Sequence, residues 1–206
     1  MLFRSILFNT VSALPLDLRS QDSIETALSK AIECLGAVDA LVNNAGVPLP
    51  VAALDVTRAD WDRIMSVNLT GTFFMTQAVG RYLMKTKRPG TIVSVASSHG
   101  VVGAAGQSPY GISKAAVMHM TRMLAIEWAG HGIRVNAVAP GKIETDSPAR
   151  QANQIDPEKR ARMMARIPAR ISPRRPASGS ASSGRPNSRP IQAKVSIAAV
   201  TSSIRS

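Results

Sequence analysis

SSHGVVGAAGQSPYGISK, residues 97–114, is the stretch on which the fold reading turns. Ser97 opens it, Tyr110 follows thirteen residues later, and Lys114 comes four after that. The run before it, TIVSV at 91–95, is short, apolar and β-branched, the pattern of a buried strand. The run after it, 110–128, has the spacing of a helix. Tyr110 and Lys114 therefore fall one turn apart on the same helix face, and Ser97 sits at a strand end. A hydroxyl, a phenol and an ammonium can converge on one point.

Working outward, strands and helices alternate. VSALPLD at 11–17 reads as a strand entering a loop, and 20–35 as an amphipathic helix capped by Ser20 or Asp22 and closed by Gly36. A short strand spans 37–42, and Asn43-Asn44-Ala45-Gly46 makes a turn. Thr57 and Asp60 form a capping box for a helix that runs through Trp61, Ile64 and Val67, past Gly71, to Met84. A basic turn at 85–90 leads into strand 91–95. Helix 110–128, a Gly130/Gly132 break and strand 133–139 complete the series, which ends at Pro140-Gly141. Each strand is a near-continuous apolar run, as expected when helices cover both faces of a parallel, doubly wound sheet. Ligands in such sheets sit at the carboxyl ends of the strands. Asp17, residues 43–46, Ser97 and Pro140-Gly141 all fall there.

Composition narrows the class. The chain has 206 residues, 45% of them apolar, enough for one domain with a core. One cysteine excludes a disulfide framework and any cysteine zinc pattern. Cys34 shares a helical run with Ile24, Leu28, Ile32 and Leu35 and reads as a buried, inert thiol. No stretch is long enough to span a membrane, and no signal-peptide pattern opens the chain; a cytoplasmic location is expected. The net charge of +12 is uneven: residues 166–206 carry eight Lys/Arg and no acid. This divides the chain into a domain, 1–166, and a basic tail, 167–206, rich in Ser, Pro and Arg. The tail's composition suits disorder. It has no aromatic residues and no nucleic-acid motif, so nucleic acid is not the expected partner.

These residues closely resemble the short-chain dehydrogenase/reductase family over roughly residues 11–166. LVNNAG at 41–46 is similar to the family's NNAG turn, and VNLTGTFF at 67–74 to the segment that holds its catalytic asparagine, here Asn68. Ser97, Tyr110 and Lys114 stand at the family spacing, and IRVNAVAPGKIET at 133–145 resembles the strand and PG turn beside the nicotinamide. The resemblance implies a Rossmann-like α/β fold, NAD or NADP as cofactor, and a small carbonyl or alcohol substrate. Its implied catalytic set is Asn68, Ser97, Tyr110 and Lys114. Its implied cofactor contacts are Asp17 and Leu18, Asn44 and Ala45, Tyr110 and Lys114, and Pro140, Gly141, Ile143 and Thr145. A homodimer through the helices carrying Asn68 and Tyr110 is also implied.

The chemistry is consistent with those roles. A phenol titrates near pH 10, far from neutrality. An ammonium one turn away favours the phenolate, which suits the phenol to general acid–base work on a substrate oxygen. Ser97 would hold that oxygen, and by resemblance Asn68 orders a water that links Lys114 to solvent. A serine nucleophile is the rival reading: Gly111-Ile112-Ser113-Lys114-Ala115 nearly matches GxSxG. But its last glycine is Ala115, and Ser113 falls inside a helix.

Two stretches depart from the family. Residues 1–10 contain no glycine, and the family pattern enters near its third strand, so the first βαβ unit with the pyrophosphate-binding turn is expected to be missing. After Pro168 the text changes to Ser/Pro/Arg, and a shifted reading frame would explain the change; resequencing the parent DNA tests it. The alternatives to a working dehydrogenase are therefore an inactive fragment with impaired cofactor binding, or a binder of acidic surfaces through the tail.

Overall fold

The computed structural model describes residues 13–141. Ile143, Thr145, the start of the expected strand at 11–12 and the basic tail at 167–206 lie outside the described residues. Three strands form one parallel sheet in the order β1-β2-β3: β1 Ala40–Asn43, β2 Gly90–Val95 and β3 Ile133–Val138. Helix α1, Gln21–Leu35, precedes β1. α2 (Arg58–Met65), a π-helical turn (Ser66–Gly71) and α3 (Thr72–Lys85) connect β1 to β2; α4 (Ser108–Trp128) connects β2 to β3. Parallel neighbours need such helical crossovers, and the sequential strand order puts both on one face.

Local sequence explains most boundaries. Ser20 caps α1 by accepting from Ser23 N–H, and Gly36 ends it in the left-handed conformation, φ 75°. The capping box forms at α2, with Thr57 Oγ1 accepting from Asp60 N–H and the Asp60 carboxylate accepting from Thr57 N–H. Ile24 and Leu28 of α1, Met75, Val79 and Leu83 of α3 and Val117, Met120 and Leu124 of α4 close on Leu41, Ile92, Ile133 and Val135. Those four strand residues lie on one sheet face, since Leu41 pairs with Ile92 and Ile92 with Val135.

The expected α/β parallel sheet is present. Among the described residues helices cover one of its faces, and Val42, Val93 and Val95 on the other are half-buried while Val138 is exposed. Two expectations need correction. The expected strand at 11–17 is not formed over 13–17. No described strand lies beside it to complete a ladder, and Asp17 N–H instead donates to Ser23 Oγ while Leu16 and Leu18 pack on the core. Cys34 is exposed, not buried. At about 100° per residue it lies about 80° from Ile24, at the margin of the apolar stripe.

Candidate active site

The parallel strands bring their carboxyl ends to one edge, and the candidate residues gather there. At the end of β1, Asn43 Nδ2 donates to Thr76 Oγ1 (2.8 Å) and to Ser94 Oγ (3.1 Å), stitching β1 to α3 and β2. Thr76 and Ser94 are fully buried, and the Thr76 hydroxyl donates onward to the Thr72 carbonyl. This asparagine holds the strand ends in register and leaves the turn at 44–46 to face the cleft.

Beyond β2, Ser97 opens a short 3-10 turn, Ser98–Gly100. Its Oγ accepts from His99 N–H at 3.2 Å. A hydroxyl that already accepts a backbone N–H keeps its own proton to donate, which is the polarity a substrate oxygen needs. Ser98 N–H donates to the Pro140 carbonyl at 2.9 Å, drawing the PG turn after β3 against the serine loop. The loop lies directly on α4. A Cβ at Gly100 would come within 2.8 Å of Ala115 N, and one at Gly111 within 2.9 Å of the His99 carbonyl. Two glycines thus permit the serine loop and the tyrosine helix to touch.

α4 starts at Ser108 with Pro109 in its first turn, where a missing N–H costs nothing. Lys114 is buried, at 4% exposure, and its Nζ donates to the Val95 carbonyl at 2.7 Å. Nζ lies 5.8 Å from the Tyr110 ring centroid, and the His99 ring meets Tyr110 edge-on at 6.2 Å. Burial pulls the Lys114 pKa down from 10.5 to about 8. The amine is still mostly charged at neutral pH. An ammonium has three N–H donors, and Val95 takes one.

Asn68 sits in the π turn and is fully buried. Val47 N–H donates to its Oδ1 at 2.8 Å, and its Nδ2 donates to the Val47 carbonyl (3.0 Å) and to Ser113 Oγ (3.1 Å). The wider π turn is the local device that delivers Asn68 inward, as such turns do at functional positions. The sequence pattern gave no sign of it. Gly46 lies where Lys114 and Asn68 meet: a Cβ there would sit 3.2 Å from Lys114 Nζ and 3.4 Å from Asn68 Oδ1. Val47 and the Val95 carbonyl were not singled out from sequence. Both act through backbone atoms, which carry no side-chain signal.

A cleft beside these groups is lined by Leu16, Leu18, Val42 and Met75, with Asn44 and Ala45 at its rim. Asn43 and Thr72 complete its lining, so its walls are of mixed polarity. The Asp17 carboxylate next to it is occupied: Arg19 donates from Nε (3.0 Å), Nη2 (2.8 Å) and its backbone N–H (2.9 Å). Those hydrogen bonds hold the Asp17 pKa below the ordinary carboxylate value. Among the described residues no glycine-rich turn opens a helix. The described residues therefore offer no backbone cradle for a dinucleotide's pyrophosphate, while the Lys114 amine keeps N–H groups that suit ribose hydroxyls. Ser113 is no nucleophile elbow; it lies inside α4, with its hydroxyl committed to the Tyr110 carbonyl at 2.7 Å.

A family profile described as short chain dehydrogenase matches residues 6–156. The 2-dehydro-3-deoxy-D-gluconate 5-dehydrogenase of Escherichia coli (strain K12) is 38% identical over 157 residues, which are 76% of this chain and 61% of that protein. A 3-oxoacyl-(acyl-carrier-protein) reductase of Thermotoga maritima is 42% identical over 153 residues, 74% of this chain and 60% of that protein. The chain thus spans about 60% of the length of these relatives. The crystal structure of a short chain dehydrogenase from Mycobacterium smegmatis superposes with a TM-score of 0.60 at 38% identity, covering 63% of this chain and 54% of that one.

Proposed function

The chain belongs to the short chain dehydrogenase family, and from that membership we propose that it is an oxidoreductase acting on a carbonyl/alcohol pair with Tyr110 as general acid or base. The observation that carries this reading is the buried Lys114 amine, anchored on Val95 and 5.8 Å from the Tyr110 ring. Lysine amines are rarely buried to 4% exposure, and one held beside a phenol at the strand ends supports a functional role.

The chemistry NAD or NADP supplies when bound is a hydride donor or acceptor. Leu16, Leu18, Val42 and Met75 would hold the adenine, with Asn44 and Ala45 at the ribose. The remaining N–H groups of Lys114 would donate to the second ribose, and Pro140-Gly141 would border the nicotinamide. Ser97 donates to the substrate oxygen. Tyr110 gives that oxygen a proton in reduction, or takes one in oxidation. Lys114 stabilises the phenolate left behind. Asn68 braces the Lys114 turn, and the second lone pair of its Oδ1 suits a bound water. The substrate is a small carbonyl or alcohol compound, and the location proposed is cytoplasmic. Among the described residues no helix is long and apolar enough to cross a membrane.

A homodimer is proposed through α3 and α4. Phe74, Ile112, Met123 and Ile126 are exposed there, at 38%, 48%, 47% and 78%. Apolar side chains in a row along a helix pair mark an association surface.

One observation favours a second reading, a chain that binds cofactor poorly: the described residues offer no backbone cradle for the pyrophosphate. Titrating the purified chain with NADH and with NADPH, and following nicotinamide fluorescence, separates the two. Saturable binding below millimolar supports the oxidoreductase. No saturation at millimolar cofactor leaves only the inactive reading.

A further inference from the structure

Ser113 is fully buried in α4, between the two residues of the proposed acid–base pair, and the proposed mechanism gives it no task. Serine inside a helix commonly donates back to a carbonyl one turn earlier, and Ser113 does so, to Tyr110, at 2.7 Å. Thr76 and Thr121 make the same back-bond, to Thr72 and Val117. Like Thr76, which accepts from Asn43 of β1, Ser113 also reaches across to another element, and it alone of the three stands between Tyr110 and Lys114. Its Oγ accepts from Nδ2 of Asn68, forty-five residues earlier, at 3.1 Å. The two bonds depend on each other. The Tyr110 carbonyl fixes the hydroxyl proton, so the lone pairs face Asn68. Asn68 must then present its NH2 to Ser113 and its Oδ1 to Val47 N–H. That oxygen and Lys114 Nζ both converge on the space beside Gly46.

We propose that Ser113 is a positioning residue that ties the Tyr110–Lys114 turn of α4 to Asn68 of the π turn and, through Asn68, to the loop at Gly46 and Val47. It rests on the function proposed above for Tyr110 and Lys114. Without the hydroxyl, a buried Nδ2 proton loses its acceptor and draws in water or swings away. The Tyr110–Lys114 turn of α4 is then no longer held against the π turn, and the Lys114 amine becomes better solvated.

The test reads Lys114 directly and needs neither cofactor nor turnover, so it stands even if the chain proves inactive. Lys114 is labelled competitively with an amine reagent across pH, and its peptide is quantified by mass spectrometry. Tyr110 and, beyond it, His99 are the ionisable neighbours, and both stay unchanged in the variants. The expected midpoint in the parent chain is about 8. Ser113→Ala is expected to raise it by a unit or more, and Ser113→Thr, which keeps the hydroxyl, to restore it. Ser113→Cys has nearly the parent size and a weak acceptor; it is expected to behave as Ser113→Ala and serves where Ala fails to fold. In an active chain, kcat of Ser113→Ala falls roughly tenfold or more with KM nearly unchanged. A Lys114 midpoint identical in the parent, Ala and Cys chains, with only the unfolding transition lowered, overturns the proposal.

Discussion

Lys114 loses most of its hydration to burial, and its single anchor on the Val95 carbonyl does not restore the ordinary pKa of 10.5. The sign of the resulting pH effect follows by linkage. Between about pH 8 and 10.5 the unfolded chain holds the Lys114 proton and the folded chain does not, so stability rises with pH across that window. Below about 8 the full cost of a buried charge is present, on the order of 3 kcal/mol. Urea midpoints measured near pH 7 and near pH 10 are expected to show this gain in the parent chain and to lose it in Lys114→Met. Equal gains in both would mean that another group titrates. The same residue sets the expected alkaline limb of activity near pH 8, where the ammonium that steadies the phenolate is lost. Asp17, by contrast, is an exposed carboxylate paired to Arg19, and an adenine amine would have to compete with that guanidinium for it.

At the scale of elements, the π turn joins the two halves of the site. Asn68 faces Val47 and Ser113, while three residues on Gly71 lies under the Leu18 turn. A Cβ at Gly71 would come within 2.5 Å of the Leu18 carbonyl and 2.6 Å of Leu18 Cβ. Gly71→Ala should therefore displace the 16–18 turn, costing about 1–3 kcal/mol in unfolding free energy and weakening cofactor binding, although alanine is the better helix former. Gly80→Ala is the control. Its Cβ would meet the Trp128 ring at 2.7 Å, a side-chain neighbour remote from the cleft, so it is expected to alter stability and not cofactor affinity. If Gly71→Ala bound cofactor as the parent does, the turn would not be part of the site. The elements themselves were largely legible in the sequence. Ser20 and Gly36, Thr57 with Asp60, and the β-branched runs of β2 and β3 declare themselves by local chemistry. The π turn does not, because the apolar spacing of α2 and α3 continues through it and only tertiary contacts choose the wider turn. Ser113 was visible as a residue, but its tie to Asn68 depends on two helices meeting. The missing strand at 13–17 and the exposed Cys34 failed for the same reason: an apolar pattern shows that a segment can be buried, and its neighbours decide whether it is.

At the scale of the molecule, one described face of the sheet is packed and the other shows Val42, Val93, Val95 and Val138. The outer surfaces of α3 and α4 add Phe74, Ile112, Met123 and Ile126. The proposed homodimer uses the helical surface, so Ile126→Asp, a charge at a 78% exposed position, should cost the monomer little stability. Sedimentation velocity is expected to show a dimer for the parent chain and a monomer for this variant. A parent chain that is monomeric at every concentration would remove the dimer from the description. In the proposed function Ser97, Tyr110 and Lys114, at the strand ends, carry out acid–base chemistry on a carbonyl. The most direct test mixes the chain with NADH or NADPH and a panel of small ketones, and follows loss of the reduced nicotinamide absorbance. Turnover is expected in the parent chain, reduced about 10²–10⁴-fold in Tyr110→Phe with cofactor binding retained; turnover that survives Tyr110→Phe unchanged would contradict the site described here.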